Sequence, residues 1–161
     1  MKERILNIQI EECSYEELSA EERRLVDEAK KMTYNSYAPY SHFHVGAAIE
    51  MAGGQIVRGA NQENAAYSAG TCAERSACFY AGAVYPGVGM KRIAVAARNV
   101  AGMGDDAPFQ RDPISPCGVC RQALLEYEAK YGNIEVLLYG ADRIYRLPSV
   151  KSLLPLCFTE Y

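Results

Sequence analysis

Three cysteines and one glutamate stand in a pattern that could carry chemistry: Cys72-Ala73-Glu74 and, far downstream, Pro116-Cys117-Gly118-Val119-Cys120. Three thiolates can hold one zinc ion and leave its fourth position open, whereas a structural zinc normally takes four protein ligands. An open position admits water, and zinc lowers the pKa of bound water to roughly 7 in favourable cases. Glu74 supplies a carboxylate beside the first ligand, able to take a proton and pass it on. Three thiolates leave the centre with a net charge of about −1, which makes bound water less acidic. Arg75, on the same turn as Cys72, could hydrogen-bond the sulfurs and withdraw that excess. Cys78 is expected to face away on the same helix. Cys13 and Cys157 are conceivable fourth ligands, and otherwise all three behave as small hydrophobes.

The elements that must position these residues can be read from pattern. One helix is expected from about Thr71 to Ala83, and another, with Pro116 at its start, from about Cys117 to Lys130. Their N-termini would converge on the metal, and the partial positive charge there favours thiolate over thiol. Residues two apart diverge on an ideal helix. Glu74 can therefore reach the metal of Cys72 only in a first turn, where its long side chain folds back.

Upstream, residues 5–10 place Leu6, Ile8 and Ile10 on one face of a short strand. Ser19-Ala20-Glu21-Glu22 reads as a capping box opening a helix to about Tyr34, with Leu25, Val26, Ala29 and Met32 on one side. A loop follows over 35–41, then strands 43–51 and 55–59 joined at Gly53-Gly54 as a hairpin. Residues 92–98 form a buried strand, 99–116 a long loop, and 134–139 and 143–147 two more strands, before Ser149 caps a short last helix. This order argues for an α/β fold, a three-layer αβα sandwich around a mixed central sheet. Residues 1–18 are expected to be an N-terminal extension forming an edge strand, and 19–161 one domain.

Composition narrows the classes. The 161 residues are 49% hydrophobic and 23% charged, with a net charge of −3. No Lys/Arg run offers the electrostatic footprint of a nucleic-acid binder. No stretch approaches the ~18 apolar residues of a membrane span, so neither partner is expected. No export signal is read at the start, which places the six cysteines in a reducing cytoplasm as ligands or buried thiols rather than disulfides. His42 and His44 flank Phe43 without metal-ligand spacing, and Gly102-Met103-Gly104 is too little for a nucleotide fingerprint.

At Cys72-Ala73-Glu74-Arg75 and Pro116-Cys117-Gly118-Val119-Cys120-Arg121-Gln122 the sequence resembles the zinc nucleoside deaminases. The segments from Tyr37 to Ala48 and from Asn61 to Ser68 sharpen the resemblance to cytidine deaminases of the small homotetrameric kind, over about residue 20 to Phe158. The resemblance implies hydrolytic deamination of cytidine and deoxycytidine in pyrimidine salvage, by zinc-activated water with Glu74 as proton shuttle. It implies one zinc per chain on Cys72, Cys117 and Cys120. Phe43 would pack on the pyrimidine, Asn61 and Glu63 would bind the ribose hydroxyls, and the backbone of Ala73 would contact the base near its carbonyl. Tyr67 and Phe158 would be offered to a neighbouring subunit's site in a homotetramer.

Rival readings are a blasticidin S deaminase, which shares the zinc motifs, a non-catalytic zinc-binding module and a thiol redox protein using Cys117 and Cys120. The Asn61-Gln62-Glu63-Asn64 run favours a ribose site over the first, and the intact Glu74 argues against the second. Residues 1–18 and the long loop 99–116 depart from the family pattern. The loop is expected to be either a border of the pocket or a solvated excursion.

Overall fold

In the computed structural model, which describes residues 1–159, nine main elements follow in the order β1 (Glu11–Cys13), α1 (Ala20–Met32), β2 (Phe43–Met51), β3 (Ile56–Ala60), α2 (Ala73–Val84), β4 (Met90–Asn99), α3 (Gly118–Tyr131), β5 (Glu135–Tyr139) and β6 (Ile144–Leu147). The strands make one sheet in the order β1-β6-β5-β4-β2-β3. Only β4 and β5 run parallel; the other neighbours are antiparallel. That parallel pair requires a crossover, and α3 supplies it.

Alternation along the strands divides the core into two layers. Ile93, Val95 and Ala97 of β4 face α2 and α3, meeting Ala77, Cys78, Leu124 and Leu125. Ala94 and Ala96 face the other way, onto Leu25, Val26 and Ala29 of α1. The result is the αβα sandwich with a mixed sheet that the sequence leads one to expect. No helix among the described residues is long and apolar enough to cross a membrane.

Local chemistry explains the boundaries. Ser19 Oγ accepts from Glu22 N at 3.3 Å, while Glu22 Oε2 accepts from Ser19 N at 2.7 Å, closing the capping box that opens α1. Gly46 and Gly59 let the helices sit directly on the sheet. A Cβ on Gly46 would lie 2.1 Å from Ala29 O, and one on Gly59 would lie 2.5 Å from both Ala73 O and Ala77 N. Gly59 thus sets how closely the first turns of α2 approach β3.

Two sequence expectations need correction. Residues 5–10 form no strand; Ile5, Leu6, Ile8 and Ile10 are exposed, and the edge strand of the extension is Glu11–Cys13, paired with β6. Alternating apolar residues make a strand only where a partner edge runs alongside, and β6 pairs with residues 11–13 instead. The final helix is a single 3₁₀ turn, Val150–Leu153, capped as expected by Ser149.

The long loop 99–116 folds back on the sheet. Fully buried Arg98 donates from Nε to Thr33 Oγ1 at 2.9 Å and from Nη1 to Asp105 O at 2.8 Å, and its guanidinium stacks 3.7 Å from the Tyr34 ring centre. Phe109 meets Tyr139 edge-on at 5.6 Å. The loop is therefore anchored to the α1 side through Arg98 and Phe109, while its residues 101–106 stay exposed and none of its residues lines the cleft described below.

Candidate active site

Two helix N-termini bring the cysteines together. Cys72 is the N-cap of α2, Cys117 is the N-cap of α3, and Cys120 lies in the first turn of α3. Their sulfurs all lie within 4.8 Å of one another, with Cys72 Sγ 3.9 Å from Cys117 Sγ and Cys117 Sγ 3.4 Å from Cys120 Sγ. Sulfurs on a tetrahedral zinc at about 2.3 Å stand about 3.8 Å apart. The donor set and its spacing fit one zinc ion with a fourth position left for a non-protein ligand. Cys78 is fully buried in the apolar core on α2 and does not join them.

The electrostatics favour a negative centre. Hydrogen bonding with Cys120 foremost, helped by Arg75 and Cys117 and opposed by burial, brings the Cys72 thiol down to about 5. The Cys120 thiol moves up in turn, through its hydrogen bond with Cys72, its burial and the nearby Glu74. Arg75 Nη2 stands 3.9 Å from Cys72 Sγ, where the sequence places it.

Glu74 is the second residue of α2 and only 4% exposed. It follows Cys72 by two residues in the first turn of α2, the position from which a long side chain can fold back toward that ligand. Burial pushes its pKa up and Cys72 adds to that, against its own backbone N–H, Cys120 and Arg75. The result is a buried acid beside the three thiols. Ala73, the first residue of α2, is fully buried, and its N–H belongs to the group that helix geometry leaves without an intrahelical acceptor.

A cleft of about 280 Å³ opens beside Cys72 and Arg75, lined further by Tyr40, Asn61, Gln62, Glu63 and Tyr67 among others. Asn61 spans from cleft to sheet: its Oδ1 accepts from Val45 N at 2.8 Å and its Nδ2 donates to Phe43 O at 2.9 Å. Glu63 Oε2 accepts from Tyr40 N at 2.9 Å and Ser41 N at 3.2 Å. Burial acts to raise the Glu63 pKa, but the hydrogen bonds from Ser41 and Tyr40 outweigh it and hold the carboxyl below the usual range. Both residues thus brace backbone as well as line the cleft.

The remaining expected site residues are placed less directly. Phe43 is half-buried against the α2/α3 side of the core, at the start of the strand that Asn61 holds. Tyr67 is 89% exposed at the cleft rim. Phe158 is 63% exposed in the C-terminal segment, its carbonyl accepting from Gln122 Nε2 at 2.9 Å. Neither Phe43 nor Phe158 lines the cleft. Tyr40, Gln62 and Thr71 do line it, and sequence reasoning did not single them out. Their signal is position alone, since each lies inside or beside a motif that the sequence analysis read for other residues.

Comparison with known proteins agrees with this geometry. Residues 19–134 match the family model described as the cytidine and deoxycytidylate deaminase zinc-binding region. A cytidine deaminase from Sporosarcina psychrophila is 38% identical over 138 residues, 85% of this chain and 90% of that protein. One from Halalkalibacterium halodurans is 36% identical over 135 residues, 84% of this chain and 92% of the other. Among solved structures, cytidine deaminase from Burkholderia pseudomallei superposes with a TM-score of 0.70 at 37% identity, covering 84% of this chain and 97% of that one. The Mycobacterium tuberculosis enzyme gives 0.66 at 28% identity, covering 88% and 100%.

Proposed function

Because the chain belongs to the family defined by the cytidine and deoxycytidylate deaminase zinc-binding region, we propose that it converts cytidine and deoxycytidine, with water, to uridine and deoxyuridine plus ammonia. The observation that carries this reading is the trio of thiols at two helix N-termini with the buried carboxyl of Glu74 beside them. One zinc per chain, held by Cys72, Cys117 and Cys120, would supply an electrophilic centre that acidifies water near neutral pH.

The chain's own residues do the rest. Glu74 takes one proton from the attacking water and delivers it to N3 of the cytosine ring, its burial favouring the protonated form. It then carries the water's second proton, from the hydroxyl left on C4, to the amine that departs as ammonia. General acid–base help of this kind is worth roughly 10²–10⁴-fold. Arg75 withdraws negative charge from Cys72. The Ala73 N–H orients the base through its carbonyl oxygen, Phe43 packs on the ring, and Asn61 and Glu63 receive the ribose hydroxyls. Tyr67 and Phe158, both exposed, complete a neighbour's site in a cytoplasmic homotetramer serving pyrimidine salvage.

Glu63 also bears on substrate choice. Its depressed pKa keeps a negative charge where the sugar would sit. A phosphate ~4 Å away would be repelled by about 1 kcal/mol in water and about 4 at an effective dielectric near 20. The cleft opens to solvent, so the lower part of that range applies. We expect cytidine and deoxycytidine to be deaminated and cytidine monophosphate to show at least a several-fold lower kcat/KM, followed by the loss of cytosine absorbance. Equal kcat/KM for the monophosphate would contradict the role of Glu63. Conversion of blasticidin S without conversion of cytidine would replace the substrate reading.

A further inference from the structure

The motif that provides Cys117 and Cys120 continues into Arg121 and Gln122, and neither of these two residues lines the cleft. Arg121 Nε donates to Pro116 O at 2.7 Å, Nη2 to Ser115 Oγ at 2.9 Å and Nη1 to Leu153 O at 2.8 Å. One guanidinium therefore ties together the two residues that lead into Cys117 and a carbonyl of the C-terminal segment. That segment is docked on α3 at further points. Glu128, buried near the other end of α3, accepts from Ser149 Oγ at 2.6 Å, Val150 N at 2.8 Å and Lys151 N at 2.9 Å, and Gln122 holds Phe158 O at 2.9 Å.

We propose that Arg121 is a positioning residue for the metal ligand Cys117, and that the C-terminal segment is the brace against which it works. The Pro116 carbonyl belongs to the peptide plane that carries Cys117 N, so holding that oxygen sets the plane from which the Cys117 side chain projects. Cys117 needs such help: it is an exposed N-cap at the end of the long loop 99–116, whereas Cys120 is buried within the helix. Three acceptors at 2.7–2.9 Å in different directions suit the planar fork of arginine, and the ammonium of lysine cannot serve all three in that geometry. Residues that orient ligands in this way typically change metal affinity by about 10–100-fold.

The inference rests on the zinc reading given above, and the test separates the two. Zinc release from the loaded, full-length protein to a chromogenic chelator would be timed for wild type, Arg121→Lys, Ser115→Ala and Gln122→Ala, with folding followed by circular dichroism. We expect release about tenfold faster in Arg121→Lys, about two- to threefold faster in Ser115→Ala, and close to wild type in Gln122→Ala, because Arg121 grips the segment at Leu153, beside residues that Glu128 docks without Gln122. Cobalt substituted for zinc should show shifted thiolate charge-transfer bands in Arg121→Lys, a change that a purely structural role would not produce. A folded Arg121→Lys that releases zinc at the wild-type rate would overturn the proposal. If that variant does not fold, Ser115→Ala decides: faster release supports the proposal and an unchanged rate overturns it. Wild-type protein that binds no zinc would instead remove the metal reading beneath it.

Discussion

Glu74 and Arg75 sit side by side at the start of α2 and act on the same charge from opposite directions. Burial keeps Glu74 inclined to hold its proton, while the Arg75 guanidinium stands 3.9 Å from the Cys72 sulfur and offsets the thiolate. Arg75→Gln should therefore keep its zinc and lose roughly 10-fold or more in kcat, as changes to residues that hydrogen-bond metal ligands do; metal content and steady-state kinetics on one preparation check this. Cys78 shows what the same residue type does without such partners. Burial alone pushes its thiol up to about 12, and it fills a gap in the core. It should stay unmodified by a disulfide reagent in the folded protein and react after denaturation. Cys78→Ser should cost about 1–3 kcal/mol in a denaturant titration, because the hydroxyl is buried among apolar side chains. The Cys72–Glu74 and Cys117–Cys120 spacings were legible in the sequence because they are local. The hold of Asn61 on the backbone of β2 and of Glu63 on residues 40–41 was not, since it depends on chain segments meeting across 16 to 23 residues.

Element boundaries were legible where chemistry is local too. The capping box at Ser19 and Glu22 starts α1 as read, and Gly53-Gly54 turns β2 into β3. The strand expected over 5–10 shows the limit, because pairing is a property of two segments. Glu22 combines both kinds of interaction, reaching back to Ser19 and across to Arg146 at 3.1 Å. Burial works to raise its pKa, but the Ser19 hydrogen bonds and then Arg146 and Arg92 lower it overall. A depressed folded-state pKa stabilises above the unfolded value and loses that contribution as pH falls through the folded one. Glu22→Gln should thus be less stable than wild type at pH 7, by about 1 kcal/mol. The gap should close as pH drops below the ordinary carboxylate range, in thermal melts across pH. Gly59 governs the seating of α2. Gly59→Ala puts a Cβ against the Ala73 carbonyl and should cost about 1–3 kcal/mol or more. It should also weaken zinc retention by moving Cys72, which equilibrium competition with a chelator would detect.

For the molecule as a whole, the sheet acts as the frame, with β1 added at one edge and the long loop held beside the interior strand β4. The extension adds β1 to one edge and leaves Ile5, Leu6, Ile8 and Ile10 exposed, while Arg98 holds the long loop against α1. Composition could signal neither, since one needs a partner strand and the other a buried cation shared between the Thr33 hydroxyl and loop carbonyls. The exposure of Tyr67 and Phe158 fits an enzyme whose sites are completed between subunits. Light scattering should then give about four times the 17.8 kDa of one chain, and a monomer of full activity would contradict shared sites. The proposed zinc-dependent deamination of cytidine through Glu74 stands or falls on cytidine turnover and zinc content measured together in wild type and Glu74→Gln. We expect rapid conversion with about one zinc per chain in the wild type, and the same zinc with turnover reduced at least 10²-fold in the variant. Near-normal turnover in Glu74→Gln, or none in zinc-loaded wild type, would contradict it.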